Sequence, residues 1–416
     1  MKILNLFLTL CTLLVLILSC TRTDAGDPVE DSPRKDARLL VRIAPAETKA
    51  GSNDTDAIAG EKTINSLEIF IFRASTGSDD GMLDAYKKAE ASEIDAGAGS
   101  ASVAMDATTG PKHIYAIANA PARLSAAVST EDELLAAISE FNENTRSSFL
   151  MVGSSGSENT LQNGNAPANR IDLNLRRLVA RVKLEQIRGD FSTPAYREKD
   201  FRVKRIYLAY VPRQAKFVNG SYADVFGSPE SFSASGVTIS RYYRFALPSE
   251  QDGAANGYYT PAVVSGNGSV VITSAANAAD LTSRSYSAAE GMLYSRPGGS
   301  TPALEGNRMR PMLYLYMYPN PAAQATQDGQ SDFTTKLIIE TELQGETYYY
   351  PISLGYTQPN YAYTVQDVRI TRLGSTDPNI PVTTAACTFT VRVSDWDTGD
   401  IIGSFNNERS ENNFVF

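Results

Sequence analysis

The sequence predicts an all-β fold of the sandwich or barrel type, divided between two domains. Three observations carry this. Apolar and polar residues alternate with period two in segment after segment, as half-buried strands require. Turn-forming Gly, Ser and Asn clusters separate those segments, and only one stretch has clear helical spacing. About 380 residues follow the leader and its tether, too many for a typical single core.

The chain opens on an export signal. Lys2 supplies the positive charge, and residues 3–18 are apolar except at Asn5, Thr9 and Thr12. The run is short and ends at Ile17-Leu18-Ser19-Cys20, which fits a cleaved signal better than a membrane span. A small residue before Cys at that place is a lipobox, so Cys20 is the expected site of diacylation; the alternative is an ordinary signal with a chance Cys. Several acyl chains give the stable anchoring that one chain does not. Residues 21–36 are polar, charged and Pro-containing, the composition of a tether. This divides the chain into a leader at 1–20, a tether at 21–36 and domains at 37–184 and 185–416.

Leu39, Val41 and Ile43 share one face of the first strand, with Arg42 on the other. The denser Leu67-Glu68-Ile69-Phe70-Ile71-Phe72 predicts a strand covered on both faces. Strands follow over 113–118, 171–175 and 178–184, then over 203–211, 270–273, 312–318, 336–343, 347–354, 363–372 and 387–393. Hairpins are expected at Gly266-Asn267-Gly268 and at Gln344-Gly345. The helix is announced by the capping box Thr130-Glu131-Asp132-Glu133 ahead of Leu134, Leu135, Ile138 and Phe141. The loops at 154–169 and 274–307 are poor in apolar residues and are expected at the surface.

Composition excludes several function classes. Of three cysteines, Cys11 leaves with the leader and Cys20 takes lipid, so Cys387 is left without an intrachain partner. A net charge of −9 with no basic block argues against nucleic acid as a partner. The single histidine, His113, rules out multi-His metal sites and is expected to be structural. Gly153-Ser154-Ser155-Gly156 lacks the lysine of a phosphate loop, and Asp79-Asp80-Gly81 and 328–332 fall short of a calcium loop's ligands. Asp395, Asp397 and Asp400 around Trp396 are expected to be solvated loop acids. Tyr314, Tyr316 and Tyr318, and Tyr348, Tyr349 and Tyr350, suit cross-strand packing, with a sugar-binding face as the alternative. No cofactor, metal site or enzymatic activity is legible.

These residues together resemble the fimbrillin family, the type V pilus subunits of Bacteroidales. The likeness runs through the lipobox, the tether, the first strand with its basic residues (38–49), the strands at 67–72 and 112–119, the helix after Thr130 and the stretch Phe149-Leu150-Met151-Val152. Leu178-Val179-Ala180-Arg181-Val182 is similar to the family's basic strand at the domain junction. The C-terminal half adds Tyr348-Tyr349-Tyr350-Pro351-Ile352, Asn360-Tyr361-Ala362-Tyr363, Gly374-Ser375-Thr376-Asp377-Pro378 and a last segment from Cys387 to Trp396. The order of these pieces is similar to that of major shaft subunits. The chain departs from the family at Pro359 and at Lys49, where Arg is common.

The resemblance implies two transthyretin-like β-sandwich domains and export as an outer-membrane lipoprotein. It further implies that a trypsin-like protease removes the first strand and that the C-terminal strand of another subunit fills the groove. The implied partners are identical subunits joined head-to-tail, anchor and tip fimbrial proteins, and the outer membrane through the lipid before processing. The implied location is a cell-surface fimbria that supports adhesion. Within this scheme Lys49 and Ala50 flank the expected cut, because small polar residues follow them, whereas Arg38 and Arg42 lie inside a strand pattern. Leu39, Val41 and Ile43 mark the displaced strand. The donor strand falls within 386–416, marked by Cys387, Phe389, Val391, Val393, Ile401, Phe405, Phe414 and Phe416. Either the stretch to Val393 pairs in its own domain while the tail beyond Gly399 reaches out, which the sequence favours, or the entire segment swings across. A surface lipoprotein that binds glycans, and an anchor or tip role, are the competing readings.

Overall fold

The computed structural model describes residues 35–44, 60–209, 313–320 and 334–406, apart from 126, 141, 142, 146, 198, 200, 356, 378, 379, 398 and 399. It also describes short segments at 211–212, 214–217, 242–245, 258–259, 270–271, 294–295, 303–305 and 308–310. Numbering only the longer elements, the N-terminal half runs β1 (Ala37–Ile43), β2 (Leu67–Arg73), β3 (Leu83–Lys88), β4 (Ser100–Ala107) and β5 (Gly110–Ala118). Helix α1 (Glu131–Ala136), β6 (Met151–Ser154) and β7 (Arg170–Leu173) complete it. The C-terminal half runs β8 (Ala180–Leu184), β9 (Phe201–Ala209), β10 (Leu313–Met317), β11 (Lys336–Leu343), β12 (Glu346–Ser353), β13 (Tyr361–Ile370), β14 (Cys387–Asp395) and β15 (Ile401–Asn406).

The protein is all-β with a few short helices. In the N-terminal half, β7, β1 and β4 lie side by side, with Ile94–Asp95 beyond β4. A second sheet orders Arg176–Arg177, β6, β5, β2 and β3. Leu39, Val41 and Ile43 of β1 meet Leu67, Ile69 and Ile71 of β2 and Ile114 and Ala116 of β5 in one buried cluster, which makes the pair a sandwich. In the C-terminal half, β10, β8, β13, β14 and β15 form one sheet, and β9, β11 and β12 the other. Val182, Leu184, Val365 and Val391 of the first pack against Ile206, Leu337, Ile339 and Tyr350 of the second.

The local signals act as their chemistry requires. Thr130 accepts from the amide of Glu133 while the Glu133 carboxylate accepts from the amide of Thr130, so both ends of the capping box form. At the β11–β12 hairpin both turn residues have positive φ, 56° at Gln344 and 87° at Gly345, the twist a two-residue hairpin needs. β2 is covered on both faces, as its apolar run predicted. Its outer face, Phe70 and Phe72, packs into a cluster with Leu134, Phe149, Tyr314, Tyr316, Tyr318 and Trp396 that joins the two halves.

Several expectations need correction. The strand at 180–184, expected to close the N-terminal domain, hydrogen-bonds to β10 and to β13 and so lies in the C-terminal sheet. Alternation shows that a strand has a covered face but not which sheet covers it. The helix stops at Ala136: Ile138 begins a short strand, Ile138–Glu140, that pairs with Gln214–Lys216, and Phe141 lies outside the described residues. Within the expected loop at 154–169, Asn159–Leu161 pairs with the start of β5 and Leu161 is buried. Of the expected hairpin at 263–271 only Val270–Val271 is described, and it pairs with β9.

Candidate functional site

β1 is an internal strand. It pairs antiparallel with β4 along its length, with Leu39 opposite Met105, Val41 opposite Val103 and Ile43 opposite Ala101. On its other side it runs parallel to β7, with Val41 beside Ile171 and Ile43 beside Leu173. The inward side chains are sealed: Leu39 and Val41 are 0% exposed and Ile43 3%. The outward face is ionic. Arg38 pairs with Asp106 at 2.9 Å, and Arg42 grips Asp172 through two bonds of 2.6 and 2.7 Å, which hold the Asp172 carboxyl below its ordinary pKa. Both arginines therefore sit on a paired strand. Past Ile43 the chain leaves the sheet beside an open cleft of about 660 Å³ lined by Arg42, Ala44, Glu93, Asp95 and Asp172. Lys49 and Ala50 lie outside the described residues, as does Cys20.

At the other end of the chain, β14 is built into its own domain. It pairs with β13 on one side and β15 on the other. Cys387, Val391 and Val393 are buried in the C-terminal core, and Phe389 packs against it half-buried. Burial pushes the Cys387 thiol up to about 12, which keeps it protonated and inert. β15 differs. Among the described residues it pairs with β14 alone, Phe405 touches the core at its rim, and Ile401 and Ile402 stand 66% and 43% exposed. Phe414 and Phe416 lie outside the described residues.

Between these two regions lies a buried polar cluster at the junction of the halves, which sequence reasoning missed. Glu61 is 3% exposed. One of its oxygens accepts from the Tyr316 hydroxyl at 2.7 Å, and the other from Arg181 at 3.1 Å and the Trp396 indole at 3.3 Å. Its backbone carbonyl accepts from Arg177 Nε at 3.0 Å. Arg177 also donates to Asn360 at 3.0 Å and to Asp397 at 2.6 Å, and the Asn360 amide donates to the second Asp397 oxygen at 2.7 Å. Asp397 is thus no solvated loop acid. The ion pair with buried Arg177 draws it inward. The signal in the sequence was the basic run Arg176-Arg177, which needs acids wherever the fold buries it.

The remaining sequence candidates are structural. His113 Nδ1 lies 2.8 Å from Glu131, which also accepts from Tyr115 at 2.6 Å, tying α1 to β5. Tyr314, Tyr316 and Tyr318 are buried, and Tyr318 lies within hydrogen-bond reach of Ser139 and Asn144 at 2.5 and 2.8 Å. Tyr349 and Tyr350 are buried on β12. The tyrosines pack rather than forming an exposed face. Among the described residues no cluster of His, Cys, Asp or Glu could hold a metal ion.

Residues 37–179 match the family model of the major fimbrial subunit protein (FimA), beginning at the first residue of β1. Among curated proteins none matches in sequence. Solved structures share the fold over most of the chain. A fimbrilin (FimA) from Porphyromonas gingivalis is 13% identical, with a TM-score of 0.54, covering 88% of this chain and 99% of its own. A candidate cell adhesion protein from Parabacteroides distasonis is 18% identical, with a TM-score of 0.53, covering 89% and 98%. Another from Bacteroides eggerthii is 21% identical, with a TM-score of 0.51, covering 88% and 97%. Residues 37–179 are thus similar to the major fimbrial subunit family, and the chain over most of its length shares the fold of a fimbrilin and of cell adhesion proteins from related organisms.

Proposed function

We propose that this chain is a shaft subunit that polymerises by exchange of a β-strand. It is exported as an outer-membrane lipoprotein acylated on Cys20 and is cut between Lys49 and Ala50. β1 then leaves the N-terminal sandwich, and the tail of a neighbouring subunit takes its place.

The observation that carries this reading is the contrast between the two strands. β1 is internal and its three large apolar side chains complete a core. Losing it uncovers burial worth roughly 5–9 kcal/mol and the ladder edges of β4 and β7. Among the described residues β15 pairs with one strand, and it carries two exposed isoleucines, so it gains most by finding a second sheet. Groove and tail are different surfaces, so the contact is head-to-tail and extends into a filament without closing. Because β14 is part of its own core, the donated segment in this reading begins after Trp396.

Deletion of residues 400–416 tests it. The truncated protein should be secreted, processed and monomeric, whereas the full chain forms filaments whose subunits begin at Ala50. Filaments from the truncated chain, or full-length filaments that retain β1, would refute strand exchange through this tail.

A further inference from the structure

The cluster at the junction joins two places that the chain itself holds far apart. Glu61 is among the first described residues after the segment expected to be cut. Trp396 and Asp397 form the turn that leads from β14 into β15, and the Glu61–Trp396 bond spans 335 positions of sequence. Nothing in the packing of two sandwiches demands that these points touch, because Phe149 and Tyr316 already cover Trp396 with apolar surface.

We propose that this cluster is a clasp that fixes the root of the tail to the groove-bearing domain, with Trp396 and Asp397 as positioning residues for the tail's exit. The proposal rests on the strand-exchange reading for its consequence in filaments, but not for the clasp itself. Three features support it. The charges are paired in depth: Arg177 and Arg181 are buried, and both guanidinium groups lie over the Trp396 ring, at 4.6 and 5.0 Å. The bonds are directional and charge-assisted, so they specify one angle between the halves, where apolar contact alone would tolerate several. The backbone joins in as well. The Trp396 amide donates to the Asn360 carbonyl at 3.0 Å, and the Asn360 amide to the Val179 carbonyl at 2.9 Å, which stitches the turn to the crossing between the halves.

The arrangement has a mechanical consequence. In a head-to-tail filament, pull enters each subunit at its groove and leaves through its tail. The clasp lets that pull pass from Glu61 and Arg177 straight to the turn before β15, bypassing the C-terminal core. It also fixes the direction in which the tail departs relative to the groove of the same subunit, and hence the angle between successive subunits.

Two substitutions in the full-length protein test this. Asp397→Asn removes the charge that Arg177 holds. Trp396→Phe keeps the aromatic contact with Tyr316 and removes the indole N–H, which keeps the test open should the first variant fold poorly. In the unprocessed monomer, backbone amides of residues 401–406 should exchange with solvent about tenfold faster in either variant, with β1 and β4 protected as before. In filaments, both variants should give a shorter persistence length and a more variable angle between subunits. Unchanged exchange at 401–406 in both variants overturns the clasp, whatever the tail does in assembly. Loosened tails with filaments as straight and regular as wild type overturn its role in setting the angle. Filaments from the chain lacking 400–416 would sink strand exchange and leave the monomer result standing.

Discussion

Leu39→Ala should speed assembly of the processed protein, although it destabilises the precursor. Leu39 is fully buried, opposite Met105 and within the cluster formed by both N-terminal sheets. Truncation to Ala at such a site costs about 3 kcal/mol in lost transfer energy and residual cavity. The backbone pairing of β1 with β4 and β7 is untouched, and the Arg42–Asp172 pair is solvent-exposed and weakly held in salt. After cleavage β1 is a separate strand kept by this burial. If its departure limits assembly and its contacts are broken in the transition state, a loss of about 3 kcal/mol raises the release rate roughly a hundredfold. The assay starts from purified precursor nicked after Lys49. Release of β1 is followed by the fluorescence of a dye placed on the tether, and polymer growth by ladders on a gel run without boiling. Before nicking, the variant should melt at a lower temperature; after nicking, it should release its strand and polymerise sooner. Polymerisation at the wild-type rate despite faster release would mean that another step limits growth. Unchanged release would refute the argument that core burial holds the strand.

Two further predictions concern stability. Glu68 on β2 is 1% exposed, and desolvation raises its pKa against the opposing pull of Tyr86 and Lys88. A raised folded pKa means its contribution is fully present below the ordinary carboxylate pKa and is lost as pH rises through the folded value. Glu68→Gln should therefore melt higher than wild type at pH 7, with the advantage shrinking towards pH 4; an equal gain at both values would show that charge is not the cause. At Gly374 an added Cβ would sit 2.4 Å from the Tyr349 carbonyl oxygen and 3.0 Å from the Tyr350 ring, where Ser375 and Tyr349 exchange backbone bonds of 2.7 and 3.0 Å. Gly374→Ala should cost about 1–3 kcal/mol, read as a lower midpoint in urea, and a midpoint within error of wild type would refute the close approach.

Much of this protein was legible in its sequence because the signals are local. Period two alone put Leu39, Val41 and Ile43 on one face of β1. A dense apolar run, interrupted by Glu68, announced that β2 is covered twice, and Thr130 and Glu133 marked where a helix starts. Such patterns follow from how neighbouring side chains point, so no partner need be known. The partners themselves were set by tertiary structure. Alternation in Ala180–Leu184 is the same whichever sandwich it completes, and only hydrogen bonds to β10 and β13 assign it to the second. Likewise the pattern from Cys387 to Val393 suits a strand given to a neighbour as well as one kept at home; its pairing with β13 places it at home. Glu61 and Asp397 are ordinary acids in the sequence. Folding brings them beside Arg177, Arg181 and Trp396, and there burial and the low dielectric turn scattered charges into a fixed network.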